Sequence, residues 1–138
     1  MSCIIIMHPR QEPMLWDTPD VLSGDNDFRT LQTIIGGYIE VVRPDFFPSW
    51  ALLLCDEDGK LKGLPANFGF SIHNRYDMIC GTFIVCAEKE NEDGEKELAG
   101  LTDEQAEKML RLLGALSIMS KVGSPLMVKT ESEGKDNV

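Results

Sequence analysis

Residues 31–42 read LQTIIGGYIEVV, a short helix that stops at two glycines and turns directly into a strand. The helix rests on spacing: Phe28, Leu31, Ile34 and Ile35 recur at three- and four-residue steps and so share one helical face. Asp25, Asn26 or Asp27 can cap its start, because a short side-chain oxygen accepts a bond from an otherwise orphaned backbone N–H. Gly36 and Gly37 stand where helices commonly end in the left-handed conformation, which strains glycine least. The other reading of this pair is a backbone nest for an anion, although such nests usually face a helix N-terminus. Tyr38, Ile39, Val41 and Val42 are good strand formers.

Working outward, three apolar runs supply a sheet for this unit to pack on. CIIIM at 3–7 and ALLLC at 51–55 are apolar at every position, as strands covered on both faces are. At 79–87 neither alternate face is polar, which again predicts a central strand, with Gly81 marking a bulge or a close backbone approach. MLWD at 14–17 reads as a short edge strand. Asp56-Glu57-Asp58-Gly59 signals a hairpin turn, with Leu61 and Leu64 continuing its second arm. The acids of that turn do not make a calcium loop of the EF-hand type, because Lys60 and Lys62 fall where oxygen ligands belong. Residues 65–77 read as the least regular part.

Thr102 opens the last helix with a capping box closed by Gln105. Ala106, Met109, Leu110, Leu113 and Leu116 form its apolar stripe, with Glu107, Lys108 and Arg111 facing out. Past that stripe the apolar surface widens to Leu112, Ala115, Ile118 and Met119. Either the helix end is buried, or two copies of the chain meet there as a homodimer. Gly123 to Pro125 ends the helix. The expectation is one α+β domain over residues 1–128, a mainly antiparallel sheet with two principal helices packed on it. Residues 129–138 have the composition of a disordered charged tail.

Four blocks, LQTIIGGYIEVV, DEDGKLKGLPAN, DMICGTFIV and LTDEQ, resemble in order and spacing the bacterial family known as domain of unknown function 3846. The similarity runs from Cys3 to about Leu113. It implies a compact α+β domain carried by phages, plasmids and conjugative elements, and it implies no reaction. The chain departs from the family pattern at Phe46, Phe47 and Trp50, and again past the final helix.

Formal net charge is −10. A basic nucleic-acid footprint is absent, and an anionic membrane surface is an unfavourable partner. The segment 88–107 carries nine acids against Lys89 and Lys96, a net −7, and reads mostly as a solvated loop. Cys3, Cys55, Cys80 and Cys86 form no C-x-x-C pair and lie in apolar runs, so they read as reduced core residues of a cytoplasmic protein. No signal peptide or membrane-length run is visible.

His8 and His73 are the only histidines, and neither sits in a catalytic motif. No nucleophile elbow, P-loop, dinucleotide fingerprint or metal-ligand spacing occurs, so no catalytic residue, cofactor or metal is assigned. The candidate ligand site is a shallow pocket where Gly36, Gly37 and Tyr38 meet Asn67, Phe68, His73 and Asp77. Glycines there let backbone approach a ligand, Asn and Asp orient it, and Tyr38 and Phe68 form an apolar wall. The competing reading has these residues satisfying one another's backbone across a turn-rich end. Phe46, Phe47 and Trp50 form either a binding rim or a flap of satellite core.

Three function classes remain open. The first is a non-catalytic binding protein of a mobile element that takes a small ligand or a host protein. The second is an acidic mimic of DNA acting against a restriction or defence protein. The third is a small hydrolase using His73 or Asp77.

Overall fold

The computed structural model describes residues 2–121. Its elements are β1 (Ser2–Met7), β2 (Met14–Thr18), α1 (Asp25–Ile35), β3 (Ile39–Val42), β4 (Ala51–Asp56), β5 (Ala66–Ile72), β6 (Arg75–Cys80), β7 (Phe83–Glu90), β8 (Lys96–Ala99) and α2 (Asp103–Lys121). The main sheet runs β2-β1-β7-β4-β3, with β8 also paired to β7. All its ladders are antiparallel. β5 and β6 form a separate two-stranded sheet.

The continuous apolar runs are explained by layers on both sides. Ile4, Ile6, Leu52, Leu54, Ile84 and Cys86 turn to one face and meet Leu31 and Ile35 of α1. Their neighbours Ile5, Leu53, Phe83 and Val85 turn to the other face, where Met109 and Leu113 of α2 and Phe70 and Ile79 of the small sheet cover them. Side chains alternate across a strand, so a sheet coated twice has no polar position to show in β1, β4 or the start of β7. The two principal helices therefore pack on opposite faces of one antiparallel sheet, the α+β arrangement expected.

Both helix ends follow from their residues. Gly36 takes φ 89° and its N–H donates to Gln32 O at 2.7 Å, a left-handed cap. At the start of α1 the cap residue is Gly24, with no side-chain bond; Asp25 and Asp27 lie inside the first turn, where they favour the helix dipole. This corrects the cap expected from Asp25, Asn26 or Asp27. The capping box of α2 is formed as expected: Gln105 N–H donates to Thr102 Oγ1 at 3.1 Å, and Thr102 N–H donates to Gln105 Oε1 at 2.9 Å.

Four strand expectations are corrected. No second arm follows Asp56. Asp58 N–H donates to Asp56 Oδ1 at 2.8 Å, and Gly59, Lys62, Gly63 and Leu64 donate to carbonyls three to five residues back, giving consecutive turns. A side-chain acceptor inside the turn competes with strand pairing, and Leu61 is left 87% exposed. Residues 65–77 are not irregular: they hold β5 and the start of β6, joined at His73 (φ 51°) and Asn74 (φ 62°). Two left-handed residues in succession make the tight turn whose twist suits a hairpin. The run 79–87 is two strands, broken at Gly81 (φ 87°), whose N–H donates to Pro65 O at 2.7 Å. Finally, much of the acidic segment is a hairpin of β7 and β8, in which Lys89 stands opposite Glu97 and Lys96 opposite Glu90.

MLWD does form an edge strand, β2. In the aromatic connector, Phe47 and Trp50 pack against the core and Phe46 is exposed. Leu112 also packs partly buried against the core. The side chains of Ile118 and Met119, the stop at Gly123 to Pro125 and the tail 129–138 lie outside the described residues.

Candidate functional site

A cleft of about 650 Å³ opens between the edge of the main sheet and the small sheet. β3 brings Glu40 and Val42 to one side of it, and β5 and β6 bring Ile72 and Ile79 to the other. Cys55 on β4 and Cys80 on β6 also line it. The hairpin is held over the sheet by Asp45, in the connector after β3. Its carboxylate accepts from His73 N–H (2.9 Å), Asn74 N–H (2.9 Å) and Ser71 Oγ (2.7 Å), and its own N–H donates to Ser71 O at 2.8 Å. The Asn74 N–H, then the Ser71 hydroxyl, hold the Asp45 carboxyl below its ordinary range.

Most charges around the cleft are matched. Lys60 binds Asp77 through Nζ and Oδ1, and this bond raises the Lys60 ammonium against the opposing effect of burial. Arg43 meets Glu88 at 2.7 Å, which lowers the Glu88 carboxyl. Asp56 is 5% exposed and meets Lys62 at 2.6 Å. Burial drives Asp56 upward, but the Lys62 bond and the Asp58 N–H together outweigh it and leave the carboxyl lowered. Burial pushes the Cys55 thiol up to about 12 and raises Cys80 as well. Both thiols stay protonated at neutral pH and are poor nucleophiles.

One hydroxyl lies beside an imidazole: His8 Nδ1 is 2.7 Å from Thr82 Oγ1. The described residues show no carboxylate bonded to the far side of that ring, the orienting group a nucleophile–base pair requires. Nor do they gather three His, Cys, Asp or Glu side chains at metal-binding distance. None of their helices is long and apolar enough to cross a membrane.

The seven residues expected to share a pocket are spread over three. His73 and Asp77 line the cleft just described. Gly36, Gly37 and Tyr38 border a second depression with Arg29, Asp58 and Lys62. Asn67 and Phe68 border a third, between His8 and the Leu110–Leu113 side of α2. Asn67 donates through Nδ2 to Met7 O and to Gly81 O, both at 2.8 Å, and so ties β1 to the break between β6 and β7. Phe68 stacks on Phe70 with ring centres 4.9 Å apart and meets Phe83 edge-on. Topology explains the spread. The turns after Asp56 separate Gly37 from β5, and the small sheet carries Asp77 away from Asn67.

Sequence reasoning alone does not bring Glu40, Val42, Lys60 and Ile79 to this cleft. The contacts that define the cleft join Lys60 to Asp77 and Arg43 to Glu88, and such distant pairs leave no periodic trace in a sequence. The only available signal was Glu40 alternating with Val42 on one face of β3.

The glycines within the family-like blocks have architectural partners. A β-carbon on Gly59 would lie 2.6 Å from Cys80 O, and one on Gly81 would lie 2.7 Å from Leu64 Cδ1. With Asn67 they lock the turns after β4 onto the strand break at Gly81. A family model described as a domain of unknown function, DUF3846, matches residues 1–114, every strand and most of α2, and the chain belongs to that family. No curated protein and no solved structure matches it.

Proposed function

We propose that the protein is a non-catalytic binding module of a bacterial mobile element, cytoplasmic in setting, with the cleft between β3 and the β5–β6 hairpin as its ligand site. The observation that carries this reading is the cleft's make-up: apolar walls at Val42, Ile72 and Ile79 under a rim of ionised side chains, with protonated thiols behind. An apolar pocket with a few placed polar groups is the usual form of a binding site. The mobile-element setting comes from the family resemblance alone.

The reading is tested with a fragment library and amide chemical shifts of the labelled protein. Fragments are expected to perturb Val42, Ile72, Ile79 and Cys80 together. Perturbations that fall instead around Asn67 or Gly37 would move the site, and an absence of any clustered response would reject the cleft as a ligand site.

A further inference from the structure

β3 is the last strand of the main sheet, and among the described residues its outer edge has no partner strand. The ladder phase shows what that edge offers. Glu57 N–H donates to Tyr38 O at 2.9 Å, so Tyr38 and Glu57 are a hydrogen-bonded pair. Bonded pairs alternate in an antiparallel ladder. The register then makes Glu40–Cys55 and Val42–Leu53 the next bonded pairs. The far side of β4 agrees: Glu88 N–H donates to Trp50 O at 2.8 Å, which directs Leu52 and Leu54 to β7 and leaves Leu53 and Cys55 for β3. The backbone groups of Ile39 and Val41 therefore point away from the sheet. Val41 is 48% exposed, and β3 contains neither proline nor bulge, two of the devices that protect an edge; its shortness and Glu40 are the protection it carries.

The cleft lies along this same edge. Glu40 and Val42 are two residues apart on one face of β3, and both line it. Charge defines what would enter. Arg43, Lys60, Asp56 and Asp77 are paired, whereas Glu40 and Glu57 make no ion pair among the described residues. These two acids line the cleft of a chain with net charge −10, Glu40 without a direct ion pair and only in the longer-range field of Lys60.

We propose that β3 receives an extended segment of a partner protein, which adds a strand to the sheet and sets an apolar side chain beside Val42 and a Lys or Arg side chain beside Glu40. Side chains two apart on a strand share a face, so the segment carries an apolar and a basic residue with one residue between them. Main-chain bonds to Val41 supply adhesion, and the cleft supplies selectivity. This rests on the cleft being the binding site, as proposed above.

The probe is a blocked peptide with leucine and lysine two residues apart in a threonine background, compared with the same peptide carrying glutamate for lysine. The lysine peptide is expected to bind at least tenfold tighter and to slow exchange of the Val41 amide at least tenfold. Val41→Pro removes an outward N–H that the fold does not use, and proline is accepted at such edge positions. It is expected to keep the melting temperature and lose the peptide. Should that variant not fold, Glu40→Lys is expected to reverse the preference between the two peptides. Equal binding of both peptides, or binding without protection of Val41, overturns the inference. So does Val41 protection that rises with protein concentration alone, which would put a second copy on the edge. Fragments that bind the cleft while no peptide binds overturn the inference and leave the site reading intact; failure of both overturns the two together.

Discussion

Gly37 lies so close to Asp56 that a β-carbon there would sit 2.7 Å from the carboxylate Oδ2, and equally close to Lys62 Nζ. The second glycine of the pair thus makes room for the ion pair that closes the turns after β4 onto the end of α1. Lys62 completes the closure by donating to Gly36 O at 3.3 Å. The two glycines serve different ends: Gly36 turns the chain, and Gly37 clears space.

Gly37→Ala is therefore expected to destabilise the fold by about 1–3 kcal/mol, the range for forcing extra volume into a packed site. Urea denaturation measures it. A loss no larger than the few tenths typical of an open surface site would show that the ion pair moves aside freely.

Acid should weaken this closure. Asp56 has a lowered pKa in the fold, against about 3.9 for an unfolded Asp. A carboxyl depressed by folding stabilises above the unfolded value, and that stability is lost as pH falls through the folded value. Asp45 and Glu88 are depressed as well and act in the same direction. Urea midpoints followed from pH 6 to pH 2.5 are expected to hold and then fall below about pH 4. Asp56→Asn is expected to give a lower plateau and a shallower acid slope.

Asn67→Ala is expected to cost about 1–3 kcal/mol, because it leaves two carbonyls at the β1–β7 junction without their donor. Asn67→Asp should do no better, since a carboxylate cannot donate. Thermal melts of the protein without ligand decide the point. An unchanged melting temperature would return Asn67 to the list of ligand contacts.

Replacing Glu90, Glu92, Asp93 and Glu95 by Ser is expected to leave stability within about 0.5 kcal/mol, as at ordinary surface sites. Asn91 shapes the β7–β8 turn instead, accepting from Asp93 N–H (2.9 Å) and Glu95 N–H (3.0 Å) through Oδ1. Were the protein a mimic of DNA, the same four changes would abolish capture of a DNA-binding defence protein. With Lys89 and Lys96 set across the ladder from Glu97 and Glu90, the hairpin is no continuous acidic ribbon, and no such loss is expected in a pull-down.

The sheet's centre was legible because burial on two faces removes every polar residue from a strand, and β1, β4 and the start of β7 show this openly. The capping box was legible because it is local. β5 was hidden by Gly69, which sits inside the strand because the Tyr76 ring from β6 lies across it and would collide with any side chain there. β8 was hidden by its acids, which read as solvated chain until Lys89 and Lys96 are placed opposite them. The cleft was hidden because it exists only once Asp45 fastens the small sheet over β3, a tie between residues 28 and 29 positions apart.

β7 serves as a common rail: β4 lies along one edge, and β1 and then β8 share the other. Ile5 sits opposite Val85, a separation of 80 residues. Of its two partners in the sheet, β1 meets β2 first during synthesis. At about 5–20 residues per second, its other edge waits roughly 4–16 seconds for β7. Throughout that interval the β7-facing edge of CIIIM stays unpaired, a continuous apolar run of the kind that aggregates, with the proline-bracketed β2 along its other edge. A ribosome-associated factor that covered this run would have to hold it for a time set by translation speed.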